Sequence, residues 1–204
     1  MPLLAGRAQA QDLNSHLGKI VRIHSDGSVP DDNPYVNTPD AKPEIWSIGH
    51  RNIQSAALDR QGRLWTVEMG PQGGDELNRP EAGKDYGWPT IGYGEEYSGD
   101  PTHESPQAPG MEQPVYYWEP VIAPPGMAIY TGTLFPEWRN TIFVGGLAGQ
   151  ALVRLRMKDD LVVGEEHLLK ERNQRMREVV QGPDGALYLL TDESNGKLLK
   201  ITPR

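Results

Sequence analysis

Residues 58–68 read LDRQGRLWTVE: an apolar lead, a polar turn around Gly62, and a second apolar run. The same order returns in residues 181–193, QGPDGALYLLTDE, with Gly-x-Leu-Tyr in place of Gly-x-Leu-Trp. A looser third copy, NTIFV, begins at Asn140. An antiparallel hairpin that recurs along a chain is the building unit of a β-propeller blade. The repeat therefore predicts blades, although a β-sandwich with accidental similarity is the alternative.

The rest of the chain follows the same pattern of short apolar runs between tight turns. Glycine and proline together make up 41 of 204 residues, about a fifth, against a usual share of roughly 12%. About a dozen candidate strands, and no convincing amphipathic helix, predict an all-β fold. With blades of about 40–45 residues, three to four blades fit once the long loop at 80–114 is set aside. We expect a single domain over residues 1–204.

Composition excludes several classes of function. Twenty Lys and Arg against 28 Asp and Glu give a net charge of −8, so binding to nucleic acid is not expected. No apolar run is long enough for a membrane-spanning helix, and no membrane partner is expected. The absence of cysteine excludes disulfides, thiolate zinc sites and a cysteine nucleophile. The first residues lack the apolar core of a signal peptide, and the location of the protein stays open.

Three motifs carry a family resemblance: IGHRNIQ at 48–54, EMGPQGGDELN at 68–78 and GKDYGWP at 83–89. In this order and spacing they closely resemble the soluble pyrroloquinoline quinone (PQQ)-dependent aldose sugar dehydrogenases, the glucose/sorbosone dehydrogenase family. The resemblance runs from about Leu13 to the last residues and covers only the C-terminal half of the family pattern. It implies a partial six-bladed β-propeller that oxidises an aldose to a lactone with PQQ and Ca²⁺.

The Gly-Pro turn and the acids after it are candidate metal ligands. Glycine allows unusual backbone angles, so carbonyls of this turn can point at a ligand, and Asp75 and Glu76 add carboxylates. Carbonyl and carboxylate oxygens suit Ca²⁺. The resemblance implies that the carbonyls of Gly70 and Pro71 hold the Ca²⁺ of the cofactor, and that Glu76 and Tyr86 hold a second one. A turn with solvated acids is the simpler alternative.

Arg51 and Asn52 stand at the start of a predicted inner strand and would face the central channel. A guanidinium there can bind a quinone oxygen and stabilise negative charge. The resemblance implies that both residues contact the cofactor, whereas a surface ion pair is the ordinary role of a lone arginine. Arg51 and His50 are the candidates for a catalytic role, but a lone histidine beside such a site is more often structural, and we do not assign His50 as a base.

The C-terminal part adds further candidates for cofactor binding. Arg175 and Arg177 are two apart on a predicted strand and face the same way, so they could clamp one polyanion; the family places a matching pair against the cofactor carboxylates. An exposed cationic loop is the alternative. Tyr97, Tyr116 and Trp118 lie near family positions that wall the pocket, with packing as the alternative role.

Two departures from the family pattern affect function. Ala148 stands where the family has a cofactor-binding lysine, which removes a charged hydrogen bond worth roughly 1.5–3 kcal/mol. The second departure is that nothing here matches the half of the propeller that carries the family's catalytic histidine. A general base must reach the sugar hydroxyl, so dehydrogenase activity of this chain alone is in question.

Two other functions therefore stay open beside sugar oxidation. One is Ca²⁺-dependent hydrolysis of a lactone, as in gluconolactonases and paraoxonases, with His50, Asp75 or Glu76 as the base. The other is a non-catalytic Ca²⁺-binding fragment. The substrate would be a small sugar or lactone. A partial propeller exposes blade faces, so we also expect two copies to pair as a homodimer that closes the ring.

Overall fold

The computed structural model describes residues 6–103 and 105–203, which contain thirteen strands, two short 3-10 helices and an α-helical turn at residues 6–8. The 3-10 helices cover Pro136–Trp138 and Lys170–Arg172. The strands are, in chain order, β1 (Ile20–Val21), β2 (Ile45–Ser47), β3 (Ile53–Leu58), β4 (Leu64–Glu68), β5 (Asp75–Asn78), β6 (Tyr116–Trp118), β7 (Met127–Ile129), β8 (Ile142–Gly146), β9 (Ala151–Lys158), β10 (Leu161–Leu168), β11 (Met176–Gln181), β12 (Leu187–Thr191) and β13 (Leu198–Ile201).

The strands form four antiparallel sheets in which chain neighbours are also sheet neighbours. Strands β3–β6 and β7–β10 make two four-stranded sheets, β11–β13 a three-stranded sheet, and β1–β2 a two-stranded one. Such meanders are the blades of a propeller. The all-β prediction is confirmed, and the fold is a partial six-bladed propeller with two complete blades and two incomplete ones.

The three repeated segments are the hairpin turns of three different sheets. The Asp59 carboxylate accepts two backbone N–H groups of the β3–β4 turn, both at 2.9 Å, and Gly62 supplies the left-handed conformation that the turn needs. Gly185 occupies the same position between β11 and β12, and Asn140 adopts a left-handed conformation between β7 and β8. The hairpin predicted from residues 58–68 is therefore correct.

Two strand predictions differ from the structure. The apolar pattern of GKIVRI at 18–23 predicts a strand, but pairing is limited to Ile20–Val21. The sequence DELNR at 75–79 predicts an outer strand, yet β5 is the third strand, because the chain returns after the long loop to pair β6 along its far edge. The long loop itself runs between β5 and β6.

Apolar side chains from facing sheets fill the spaces between the blades. One cluster lies between the two four-stranded sheets and a second between the β7–β10 sheet and the last sheet. Because side chains alternate along a strand, the opposite face of β4 and β5 carries the polar residues Thr66, Glu68, Glu76 and Asn78. This polar face positions the candidate site. No helix among the described residues is long and apolar enough to cross a membrane.

Tyr130 connects the β7–β10 sheet and the β11–β13 sheet through a buried hydroxyl group. Its OH donates to the Gly185 carbonyl at 2.8 Å and accepts the Phe135 N–H at 3.1 Å. We expect Tyr130→Phe to lower the free energy of unfolding by about 1–3 kcal/mol, because a buried donor and a buried acceptor lose their partner. Tyr188→Phe, which removes a solvent-side hydroxyl bonded to Asp184, should change it by less than about 0.5 kcal/mol. Urea unfolding of both variants measures the difference, and equal losses would contradict the assignment.

Candidate cation and cofactor site

A small cavity lies on the polar side of the β3–β6 sheet, beneath the long loop. Its volume is about 20 Å³, and its lining includes all four predicted metal ligands, namely Gly70, Pro71, Glu76 and Tyr86. A space of this size holds one water molecule or one ion. The structure thus brings together residues that are far apart in the sequence, in a cavity suited to a single small guest.

Close backbone packing shapes the Gly-Pro turn at this cavity. A Cβ on Gly70 would lie 2.1 Å from the Gly73 carbonyl oxygen, and one on Gly74 would lie 2.2 Å from the backbone carbonyl oxygen of Tyr93. Asp75 anchors the turn: its carboxylate accepts the N–H groups of Gly70 at 2.9 Å and Ala123 at 2.7 Å. Asp75 therefore holds the backbone and does not line the cavity as a further cation ligand.

Two acids face each other across the β4–β5 pair. Glu68 and Glu76 are direct cross-strand partners, and the Asn78 amide nitrogen donates to a carboxylate oxygen of each at 2.9 Å. Part of the Glu76 side chain reaches the surface, but its carboxyl group lies deep. Burial, together with the charge of Glu68, raises the pKa of Glu76 to about 8. Glu76 therefore holds a proton near neutral pH unless a cation replaces it.

Glu68 is kept charged by its own partners. Burial alone would raise its pKa, but the hydrogen bond and charge of His50, with the backbone N–H groups of Arg51 and Asn52, outweigh it and lower the pKa. His50 Nδ1 lies 3.2 Å from Glu68 Oε1, and His50 Nε2 lies 2.8 Å from Ser47 Oγ. This order resembles that of a hydrolase triad, but Ser47 is fully buried. The histidine is therefore engaged on both sides, and it does not line the cavity.

The donor set at the cavity fits a hard divalent cation. It consists of backbone carbonyls and the Glu76 carboxylate, which offer oxygen. The Tyr86 hydroxyl, by contrast, donates to the Arg79 carbonyl at 2.8 Å and accepts the Glu81 N–H at 3.1 Å. No group of three or more histidine, cysteine, aspartate or glutamate side chains suited to a metal occurs in the part of the chain that the structure describes. A cation here would therefore depend on carbonyl oxygens as well as on Glu76.

Arg51 presents an unpaired positive charge at the same cavity. Its Nη1 donates to the Met69 carbonyl at 2.7 Å, and its guanidinium lies 5.3 Å from the centre of the Trp88 ring. Over residues 6–103 and 105–203, no carboxylate forms an ion pair with Arg51, and its buried Nε has no hydrogen-bond partner. A part-buried guanidinium with a free buried Nε is a binding position for an anionic or carbonyl oxygen.

Other predicted cofactor residues lie away from this cavity. Asn52 is exposed and accepts a hydrogen bond from Gln54. Arg175 and Arg177 lie side by side on the surface, where both bind Asp192 Oδ2, at 2.8 and 2.9 Å. The two side chains therefore have the common orientation that was predicted, and they share one carboxylate.

The two predicted pocket tyrosines differ in position. Tyr97 is 76% exposed and lines no described cavity near the site. Tyr116 lines a separate cleft of about 550 Å³ beside Tyr93 and Tyr117, and it packs edge-on against the buried Trp118. Tyr93 also lines the small cavity, so the cleft and the cavity are neighbours. Ala148, where the family has lysine, is exposed.

Three residues at the site were not singled out from the sequence. Glu68, Trp88 and His103 all line the cavity. Glu68 had a detectable signal, since strand alternation turns it away from the apolar face that holds Trp65 and Val67. Trp88 and His103 belong to the long loop, where no periodic pattern indicates which side chains turn inward.

Comparisons with known proteins agree over nearly the whole chain. The family model described as glucose/sorbosone dehydrogenase matches residues 4–200. Aldose sugar dehydrogenase YliI of Escherichia coli (strain K12) is 45% identical over 201 residues, covering 97% of this chain and 54% of that protein. A crystal structure of glucose dehydrogenase has a TM-score of 0.94 at 50% identity, covering 97% of this chain and 58% of the other.

A more distant structure is described with its cofactor. The PQQ-bound form of aldose sugar dehydrogenase from Streptomyces coelicolor has a TM-score of 0.73 at 28% identity, covering 95% of this chain and 54% of the other. This chain spans about half the length of the relatives it matches.

The raised pKa of Glu76 predicts how stability depends on pH without a cation. The folded chain holds this proton more tightly than the unfolded chain, so the contribution of Glu76 to stability is complete below pH 4.5 and falls as pH rises towards 8, by up to about 1.4 kcal/mol for each pH unit. In EDTA, Glu76→Gln should remove this loss. Adding Ca²⁺ at pH 8 should stabilise the wild-type chain and not Glu76→Gln.

Thermal melts at pH 5 and pH 8, with EDTA or Ca²⁺, test this behaviour. Glu171→Gln, at an exposed acid, is the control and should behave as the wild type. A Ca²⁺ response that survives in Glu76→Gln would place the cation elsewhere.

Proposed function

We propose that this chain, which belongs to the glucose/sorbosone dehydrogenase family, carries the cofactor- and cation-binding part of a site that oxidises an aldose to a lactone with PQQ and Ca²⁺. One observation carries the proposal: the four residues predicted to hold Ca²⁺ and an Arg51 guanidinium without an ion pair line the same small cavity. The PQQ-bound relative supports the choice of cofactor.

Each residue of the site has a part in this proposal. The carbonyls of Gly70 and Pro71, with Glu76, bind the Ca²⁺. Arg51 orients a quinone oxygen and stabilises negative charge on it. Arg175 and Arg177, kept parallel by Asp192, bind the cofactor carboxylates. When bound, the quinone supplies the acceptor for the hydride that leaves the sugar.

The tyrosine cleft next to the cavity supports a sugar as the substrate. Tyr93 and Tyr117 stack with ring centres 3.9 Å apart, and Tyr116 lies in the same cleft. Tyrosine offers an apolar ring to the C–H face of a sugar and a hydroxyl to its edge. A cleft of about 550 Å³ is large enough for a monosaccharide.

The general base of the reaction is proposed to come from a part of the propeller that this chain does not match. His50 and Asp75 are both held by buried partners, and neither can take a proton from a sugar without losing them. The chain thus binds and orients, and a second polypeptide segment completes the proton transfer.

We propose that a second copy of this chain packs against the two incomplete sheets. The β1–β2 and β11–β13 sheets are incomplete, and Val21, Leu190 and Leu198 on them are exposed. Paired edges would cover this surface. We expect light scattering to give twice the mass of one chain at micromolar concentration, with a stable monomer as the contradicting result.

Reconstitution tests the cofactor proposal directly. With Ca²⁺ present, PQQ should bind and shift its absorbance, and Arg51→Gln should weaken binding about tenfold to a hundredfold, since one charged hydrogen bond is worth about 1.5–3 kcal/mol. Arg172→Gln, an exposed arginine in a 3-10 helix, should bind as the wild type does. Absence of any absorbance shift in the wild-type chain would reject PQQ as the ligand.

A further inference from the structure

Ser47, His50 and Glu68 form a buried chain of hydrogen bonds that the proposed reaction does not use. Their exposed fractions are 0%, 2% and 4%, and the two distances are 2.8 Å and 3.2 Å. Three polar side chains enclosed in this way are costly unless each is satisfied. His50 does not line the cavity, so any role in the site must pass through a neighbour.

Glu68 is that neighbour, because it holds the backbone from which Arg51 projects. Its Oε2 accepts the Arg51 N–H at 2.7 Å and the Asn52 N–H at 3.4 Å. The second anchor of Arg51 is the carbonyl of Met69, the residue after Glu68, at 2.7 Å. The backbone N–H of Arg51 is therefore held by Glu68, the last residue of β4, and its guanidinium is held by Met69, the next residue.

His50 in turn decides where the Glu68 carboxylate lies. It is bonded to Glu68 on one side and to Ser47 on the other, and its ring stacks on Tyr86 with centres 4.8 Å apart. Glu68 also lies opposite Glu76 on the neighbouring strand, and the Asn78 amide holds Glu68 Oε1 from that side at 2.9 Å. Among the described residues, His50 is the only side chain that hydrogen bonds to Glu68 from the β2 side.

We propose that His50 is a positioning residue, which acts through Glu68 to aim the unpaired Arg51 guanidinium at the bound anion. This inference rests on the proposed function for the identity of that anion. The required property is a side chain that hydrogen bonds to Ser47 and Glu68 together. Glutamine has an amide oxygen and nitrogen that can do so, whereas leucine has a similar volume and neither group.

The test compares His50→Gln, His50→Leu and Arg51→Gln in PQQ titrations with Ca²⁺ present. His50→Leu should weaken binding about tenfold, and His50→Gln should stay within about threefold of the wild type. Adding His50→Leu to Arg51→Gln should cause little further loss, because the histidine acts only through that arginine. Independent, multiplied losses would overturn the proposal.

Hydrogen exchange of the Arg51 and Asn52 amides gives a readout that needs no cofactor. Both amides should exchange slowly in the wild type and in His50→Gln, and at least tenfold faster in His50→Leu, while the β9 and β12 amides stay protected. Equal protection in all three proteins would overturn the proposal, even if PQQ does not bind. Failure of the wild type to bind PQQ, with the expected exchange pattern, would reject the cofactor and leave the positioning role supported.

A second variant serves if His50→Leu does not fold. Ser47→Ala removes only the far end of the hydrogen-bond chain and leaves Glu68 with its histidine. We expect it to speed exchange of the Arg51 amide about threefold and to weaken binding to a similar extent. No change in either measurement would count against the chain of bonds as a positioning device.

Discussion

Two carboxylates placed directly opposite each other on neighbouring strands are the constraint on which this site depends. Glu68 and Glu76 face the same buried layer, and like charges in that position destabilise a sheet. The blade can fold because the two acids have different hydrogen-bond partners. Glu68 receives His50 and two backbone N–H groups, whereas Glu76 receives only the Asn78 amide and must take up a proton or a metal ion.

Most of the fold could be predicted because it follows from local pattern. The Gly-containing turns at Gly62 and Gly185 and the alternating runs beside them specify hairpins, and repeated hairpins specify blades. The length of β1 and the position of β5 within its sheet could not be predicted from local pattern. Both depend on which strand lies alongside: β1 has a partner on one side only, and β6 reaches β5 after 37 intervening residues of loop, from 79 to 115.

The candidate site was predictable only in part, even within the motifs. Gly70, Pro71, Glu76 and Tyr86 belong to two short motifs, and the structure places all four at one cavity. Trp88 lies in one of these motifs too, but whether its side chain turns towards the cavity depends on how the loop folds back. Arg175 and Arg177 lie away from that cavity because they belong to a different blade. The spacing of residues along the chain does not predict how far apart two blades lie.

Arg51 and Glu76 at the cavity support our proposal of a composite guest. No carboxylate among the described residues forms an ion pair with Arg51, although the charges of Asp75 and Glu96 act on it. Glu76 holds a proton unless a cation replaces it. A lone cation would satisfy Glu76 and repel the guanidinium; a lone anion would do the reverse. A metal ion chelated by a polyanion satisfies both, because the ion meets the carboxylate and carbonyls while an oxygen of the anion meets the arginine. The arrangement of charge in the protein thus matches a metal-bound acidic cofactor more closely than either component alone.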